Sequence, residues 1–101
     1  MFFLQTARHN PESCPMHNEE AKKVWKEFYA KLNELMAKNG IKMVGGWVST
    51  PKHLTVIVYD VQDPASIIGF MREPEMVAWQ SYQVVENRPV RMFDEAMTLL
   101  K

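Results

Sequence analysis

The segment Asn18–Gly40, with the sequence NEEAKKVWKEFYAKLNELMAKNG, carries the strongest structural signal in the chain. Its apolar residues recur at the three- and four-residue spacing of one continuous helical face. Asn18 is a good N-cap residue, and Asn39-Gly40 is a typical helix end. We therefore predict an amphipathic helix over residues 18–39. Its apolar face comprises Ala21, Val24, Trp25, Phe28, Tyr29, Leu32, Leu35 and Met36.

The segments on either side of this helix predict four strands and shorter helices. Gly45-Gly46 indicates a bulge or a close approach by a ligand or another backbone, and Pro89 indicates an edge strand or a break in the strand. Asp63-Pro64 is a typical helix start. The predicted strands span residues 2–8, 41–49, 54–59 and 82–88, and the helices span 64–72, 74–79 and 94–100.

The order of these elements predicts the fold class. Strand, helix, strand, strand, helix, strand is the split β-α-β arrangement of the ferredoxin-like α+β sandwich. Right-handed crossovers place both main helices on one face of a four-stranded antiparallel sheet, and the short C-terminal helix follows. A chain of 101 residues has the length of one ordinary domain. We therefore expect residues 1–101 to form a single domain.

The strands are apolar on both faces, which predicts a partner for the sheet. A half-solvated antiparallel sheet should alternate cleanly between apolar and polar residues. Large exposed apolar patches are rare on soluble monomers, so the face without helices requires a cover. A second copy related by a two-fold axis is the simplest cover, and a homodimer is expected. If the bulge is ignored, the two faces of the second strand carry Val44 and Val48 on one side and Ile41, Met43 and Trp47 on the other. The two faces of the third strand carry Leu54, Val56 and Val58 on one side and Ile57 and Tyr59 on the other.

On this element order and these two-sided strands, the chain resembles the dimeric α+β barrel superfamily. The segments His9–Pro15, Asn18-Glu19 and Gly46–Ser49 resemble, more narrowly, a family of small uncharacterised prokaryotic domains within it. The superfamily includes cofactor-free monooxygenases, haem-degrading enzymes, small isomerases and non-catalytic ligand-binding domains. The resemblance therefore implies a fold and a pocket position, whereas a function has to be argued from the site.

Charge and cysteine content exclude several classes of partner. The chain has 12 basic and 12 acidic side chains, which argues against binding nucleic acid or an anionic membrane. Cys14 is the only cysteine, so no internal disulfide can form.

The N-terminal residues do not resemble a signal peptide, and no apolar stretch approaches the roughly 20 residues of a membrane span. The expected location is the cytoplasm.

All three histidines and the cysteine fall in segments that the predicted topology brings to one end of the domain. These segments are the loop over residues 9–18 and the turn over residues 49–53. One hypothesis is a transition-metal site, because imidazole and thiolate are ligands for zinc, iron or copper. The spacing matches no strong zinc motif, so ordinary packing and solvation of these side chains is the alternative. The candidate ligands are His9, Cys14, His17 and His53.

A second hypothesis is catalysis without a metal. Cys14 precedes the long helix, whose dipole would favour a thiolate, and His9 or His17 could hold its proton. His53 is a further candidate for a catalytic group. Against this hypothesis, no third orienting residue is identifiable, and a lone cysteine is more often buried packing.

A third hypothesis is an apolar pocket between the sheet and the helices, with His9, Arg8 or His53 as its polar group. The candidate pocket residues are aromatic residues and a methionine, and side chains of these types more often form part of the core than line a pocket. We expect a homodimeric ligand-binding domain or minor enzyme that acts on a small apolar molecule. The alternatives are a transition-metal-binding protein and a structural or regulatory dimer with no ligand. The candidate pocket residues are Trp47, Tyr59, Met71, Trp79 and Tyr82.

Overall fold

The structure is a computed structural model that describes residues 1–100. One sheet contains four strands, and four helices accompany it. The strands are β1 (Phe2–Arg8), β2 (Ile41–Ser49), β3 (Leu54–Val61) and β4 (Val84–Val90). The helices are α1 (Glu19–Lys38), α2 (Pro64–Met71), α3 (Pro74–Gln80) and α4 (Phe93–Thr98). None of these helices is long and apolar enough to cross a membrane.

The sheet is fully antiparallel, with the strand order β2-β3-β1-β4. Because β3 pairs with both β1 and β2, those two strands run parallel to each other on either side of it. Insertion of β3 between β1 and β2 is the split β-α-β arrangement, so the architecture is compatible with a ferredoxin-like fold. The predicted α+β class and the four-stranded antiparallel sheet are confirmed.

Helix α1 forms as its sequence predicts. The Asn18 side chain accepts a hydrogen bond from the Ala21 N–H at 2.9 Å, which satisfies one free donor of the first turn. Asn39 ends the helix, and Gly40 follows with a φ of 68°. The apolar face contributes Phe28, Leu32, Leu35 and Met36 to the core, together with the fully buried Ala21, whereas Tyr29 is exposed.

The core lies between the helices and one face of the sheet. Phe28 stacks on Trp79 with ring centroids 4.3 Å apart, which joins α1 to α3. Trp25 packs edge-on against both of these rings and stays partly buried. The remaining core residues come from the sheet, helix α2 and helix α3, and they include Phe3, Ala7, Ile41, Ile57, Tyr59, Val61, Ile67, Phe70 and Met76.

The predicted distribution of side chains on β2 is wrong because the strand bulges before the glycine pair. The register with β3 shifts between Met43 and Gly45, so Val44 is the extra residue. Met43 lies opposite Tyr59 on the core face, but Trp47 lies opposite Val56 on the other face. The bulge expected at the glycines does occur, and the group that packs closely on Gly45 is a side chain of the same strand. A Cβ added to Gly45 would come within 2.5 Å of the Trp47 indole.

Three element boundaries also differ from the prediction. Strand β4 begins at Val84 and continues through Pro89, which is accommodated because β4 is an edge strand. Strand β3 extends to Val61, where the Val61 N–H donates to the Met1 carbonyl at 2.8 Å. Helix α3 begins at Pro74 as predicted, at the position that proline favours, and ends at Gln80, one residue later than predicted.

One polar side chain, Gln5, is fully buried beneath the helices. Its Oε1 accepts a hydrogen bond from the Tyr59 hydroxyl at 3.0 Å, and its Nε2 donates to the Asn87 side chain at 3.0 Å. Burial raises the pKa of Tyr59 well above its usual range, so the phenol remains a donor at all ordinary pH values. This network joins the three neighbouring strands β3, β1 and β4.

Candidate metal centre and cleft

The strand registers bring three connections to one end of the sheet. Arg8 at the end of β1 pairs with Leu54 at the start of β3 and with Val84 at the start of β4. Ser49 at the end of β2 also pairs with Leu54. The segments that follow or precede these residues therefore meet. They are residues 9–18, residues 50–53 and the link from α3 to β4.

His9 and His53 face each other across this end of the sheet. Each is the next residue beyond the Arg8–Leu54 pair, and the His9 N–H donates to the His53 carbonyl at 3.1 Å. Their rings meet edge to face, and His9 Nε2 lies 3.2 Å from His53 Nδ1. The two nitrogens are at hydrogen-bonding distance, and the tautomers of the rings decide which one donates its N–H and which one accepts the hydrogen bond.

The backbone of His53 is in the left-handed region, with a φ of 51° and a ψ of 42°. A 3-10 turn over Thr50–Lys52 leads into this residue, and the His53 N–H donates to the Thr50 carbonyl at 3.2 Å. Histidine is several-fold enriched among the non-glycine residues that adopt this conformation. His53 is the only non-glycine residue with a positive φ in residues 1–100. The turn therefore fixes the ring of His53 beside that of His9.

The third member of the group is Cys14, which is buried and unpaired. The Cys14 N–H donates to the Pro11 carbonyl, and its carbonyl accepts from the N–H groups of His17 and Asn18 at 3.0 and 2.8 Å. The Asn18 side chain also donates to the Glu12 carbonyl at 3.1 Å. The long loop is therefore a compact turn that is bonded to the start of α1.

His9, Cys14 and His53 each present one donor atom, and these atoms all lie within 4.8 Å of one another. Two imidazole nitrogens on a tetrahedral zinc ion lie about 3.3–3.4 Å apart, given Zn–N bonds of about 2.0–2.1 Å. The histidine pair already has this spacing. A thiolate and an imidazole on the same ion lie about 3.5–3.6 Å apart. The cluster therefore needs to contract by little more than about 1 Å to bind a metal ion.

Next to this cluster is a cleft of about 430 Å³. Its lining is mainly apolar and, apart from the histidines, contains no ionisable side chain other than Cys14. Two polar atoms of lining residues, His9 Nδ1 and Thr55 Oγ1, are buried without a hydrogen-bond partner in residues 1–100. Buried polar atoms usually have a protein, water or ligand partner. The full lining is His9, Cys14, Pro15, Met16, His17, Trp25, Val48, Thr50, His53 and Thr55.

Burial is the larger of two effects that lower the pKa of His9 below its ordinary value of 6.5. The neighbouring His53 lowers the His9 pKa further, because two adjacent imidazolium rings repel each other. The His9 ring is therefore neutral around pH 7, which is the form that binds metal ions.

The structure brings together three of the four residues that the sequence analysis named as metal ligands. His17 borders the same cleft, but it is exposed and lies outside the group of three. Arg8, offered as a polar group for a pocket, is exposed at the end of β1 and borders a different surface hollow, with Leu4 and Val84.

The five predicted pocket residues do not form one cavity. Tyr59 and Trp79 are completely buried in the core, whereas Trp47 is exposed on the opposite face of the sheet. Met71 packs against the core, and the Tyr82 hydroxyl donates to Glu20 on the surface at 3.4 Å. The cleft is instead lined by Trp25, Val48 and Thr55, which the sequence analysis did not select. Thr55 could have been found, because alternation along β3 places it on the same face as Ile57 and Tyr59.

These features define a small α+β domain with a histidine-histidine-cysteine cluster in the wall of an apolar cleft. A comparison with protein-family models found no match, and neither did a comparison with curated proteins. The functional argument therefore rests on the site itself.

Proposed function

We propose that the protein binds one transition-metal ion, with zinc as the preferred ion, through His9, Cys14 and His53. The observation that carries this proposal is the grouping of the three donor atoms within 4.8 Å. Two imidazoles and one thiolate are a suitable donor set for zinc, and the same set also accepts copper. Three protein ligands with a fourth position left for water or substrate are typical of catalytic rather than structural zinc sites.

Two further observations support a metal site over ordinary packing. The histidine pair places two donor nitrogens at the spacing of neighbouring zinc ligands, with a hydrogen bond that a metal ion can replace. The turn that positions His53 uses a left-handed backbone at a non-glycine residue, and such conformations are concentrated at functional sites.

Cobalt titration of metal-free protein, purified without a histidine tag, tests the proposal. We expect one equivalent to bind and to produce the near-ultraviolet charge-transfer band of a cysteinate-cobalt bond. Cys14→Ser should abolish the band, whereas His9→Gln and His53→Asn should weaken cobalt binding at least about tenfold. Asparagine is chosen at position 53 because it tolerates a left-handed backbone.

His17→Gln separates a three-ligand site from a four-ligand site. With three protein ligands, this variant keeps the charge-transfer band and loses less than about threefold in affinity. A loss as large as that of His9→Gln would show that His17 completes the coordination. Absence of the band in the wild-type protein would contradict the metal site altogether and favour the hydrogen-bonded pair as a purely structural feature.

We also infer that the chain forms a homodimer of the dimeric α+β barrel type through the sheet face that lacks helices. Phe2, Leu4, Val56 and Val58 on this face are only half-buried, and Trp47 is 61% exposed. Light scattering should give about twice the 11.8 kDa chain mass. Val56→Glu should shift the protein toward monomer, and a wild-type monomer at micromolar concentration would contradict the inference.

A further inference from the structure

The cleft beside the metal cluster has a composition that specifies a class of ligand. All three proposed metal ligands line it, so a metal ion held by them borders the cleft, and a fourth ligand would enter from there. Trp25, Val48 and Met16 supply apolar surface on the remaining walls. A molecule that binds here would therefore place one donor atom on the metal and its apolar body against these side chains.

The charge of the site narrows this class further. A divalent ion with one thiolate and two neutral imidazoles has a net charge of about +1. The cleft lining contains no carboxylate and no lysine or arginine, so nothing else on the protein compensates that charge there. In an apolar cleft the attraction between opposite charges is stronger than in water. An anionic donor atom is therefore favoured over a neutral one.

Thr55 offers a further contact for such a ligand. Its Oγ1 is buried without a partner, and the residue lines the cleft. A ligand oxygen that approaches this hydroxyl from the cleft would accept a hydrogen bond from it, and this bond would satisfy an atom that otherwise lacks a partner.

Together these features extend the proposed metal function: we propose that the metal-loaded cleft binds small apolar carboxylates or similar organic anions. The anionic group occupies the open coordination position, Thr55 donates to it, and the apolar body packs against Val48, Met16 and Trp25. This inference rests on the metal site, and the experiment below separates failure of the one from failure of the other.

The test uses cobalt-loaded protein and three probes, which are phenylacetate, acetate and phenylacetamide. Binding is measured from the change in the cobalt visible absorption bands. Phenylacetate should bind at least about tenfold more tightly than acetate, because its ring is buried, and at least about tenfold more tightly than the neutral amide. Equal affinity for phenylacetate and either control probe would overturn the inference. The cysteinate-cobalt band would still be present in that case, and it would show that the metal site itself had not failed.

Matched valine substitutions test the location of the ligand. Val48 and Val44 lie on the same strand and are 58% and 59% exposed, but only Val48 lines the cleft. Val48→Thr should weaken phenylacetate binding by about threefold, whereas Val44→Thr should leave it unchanged. Thr55→Val should weaken phenylacetate binding by about fivefold or more, whereas Thr55→Ser, which keeps the hydroxyl, should lose much less affinity. Equal effects of the two valine changes would place the ligand elsewhere.

Metal-free protein provides the last comparison, followed by tryptophan fluorescence because Trp25 borders the cleft. Phenylacetate should bind metal-free protein at least about tenfold more weakly than cobalt-loaded protein. Equal affinity in both forms would show that the carboxylate does not reach the metal, and would overturn the inference.

Discussion

Acidification of the metal-free protein should destabilise it through His9. Burial and the neighbouring His53 hold the pKa of His9 below 6.5 in the folded chain. The unfolded chain has the ordinary value of about 6.5 and therefore binds more protons in the interval between the two pKa values. Stability rises with pH wherever the unfolded state binds more protons. The contribution of His9 is thus fully present above about pH 6.5 and is lost as the pH falls toward the pKa of the folded state.

The size of this effect follows from the single proton involved. One group that titrates only in the unfolded chain changes the free energy of unfolding by at most about 1.4 kcal/mol per pH unit. Urea denaturation of metal-free protein at several values between about pH 7.5 and about pH 5.5 measures the slope. Carboxylates contribute at the acid end of this range, so the informative quantity is the difference between wild type and His9→Gln.

His9→Gln should flatten the pH dependence, because the buried titrating ring is gone. His17→Gln should leave the wild-type slope in place, because His17 is exposed. Parallel stability curves for wild type and His9→Gln across the whole range would refute the argument, since they would show that His9 titrates alike in both states. Saturating zinc should steepen the wild-type curve further, because protons and the metal ion compete for the same imidazoles.

The other predictions concern the core, the buried polar network and the metal. Phe28→Ala should cost roughly 3–5 kcal/mol in urea denaturation, because the ring is buried and stacked, whereas Lys31→Ala on the exposed side should cost about 0.5 kcal/mol or less. Similar small costs at both positions would show that the helix face is wrongly placed. Tyr59→Phe leaves the Gln5 acceptor buried without its donor and should cost about 1–3 kcal/mol, and combining it with Gln5→Met should cost at least about 0.5 kcal/mol less than the sum of the single changes. Strict additivity in this double-mutant cycle would contradict the network. Zinc at about one hundred times its dissociation constant should raise the free energy of unfolding by about 2.7 kcal/mol in wild type and far less in Cys14→Ser, and equal gains in the two proteins would place the metal elsewhere.

The sequence was a good guide to the fold where one signal dominated. Helix α1 could be predicted within one residue at each end, because its apolar spacing and both asparagine caps agree. The β2 bulge could not be located in the same way. The glycine pair indicated an irregularity, but the predicted faces of the strand were assigned without it. The extra residue, Val44, shifts the alternation by one position and places Trp47 on the other face. The bulge removed Trp47 from the predicted pocket, whereas Tyr59 and Trp79 do not line one because they are completely buried in the core.

For the site, the sequence predicted the right end of the domain but not the pairing within it. Element order alone brings the histidine and cysteine segments together, because the ends of neighbouring strands meet. Which of them come into contact depends on two features that no local pattern encodes. The first is the register that sets His9 beside His53, and the second is the left-handed backbone of His53. His17 was included as a ligand because it is close in sequence to Cys14, and spacing along a loop does not reveal which side chains point inward.

The three donors lie on backbone that strand pairing and turn hydrogen bonds hold, whereas in small zinc domains the metal itself supplies much of the folding energy. The β1–β3 ladder fixes His9 and His53, and their backbones share a hydrogen bond of 3.1 Å. Cys14 is fixed by its own turn and by the capped start of α1. A metal ion therefore needs to order little of the chain, and most of its binding energy remains available for affinity. If these residues hold a metal ion, a fourth ligand would come from the cleft, because all three residues line it. The proposed three-ligand site is therefore suited to binding and exchanging a small molecule rather than to stabilising the fold.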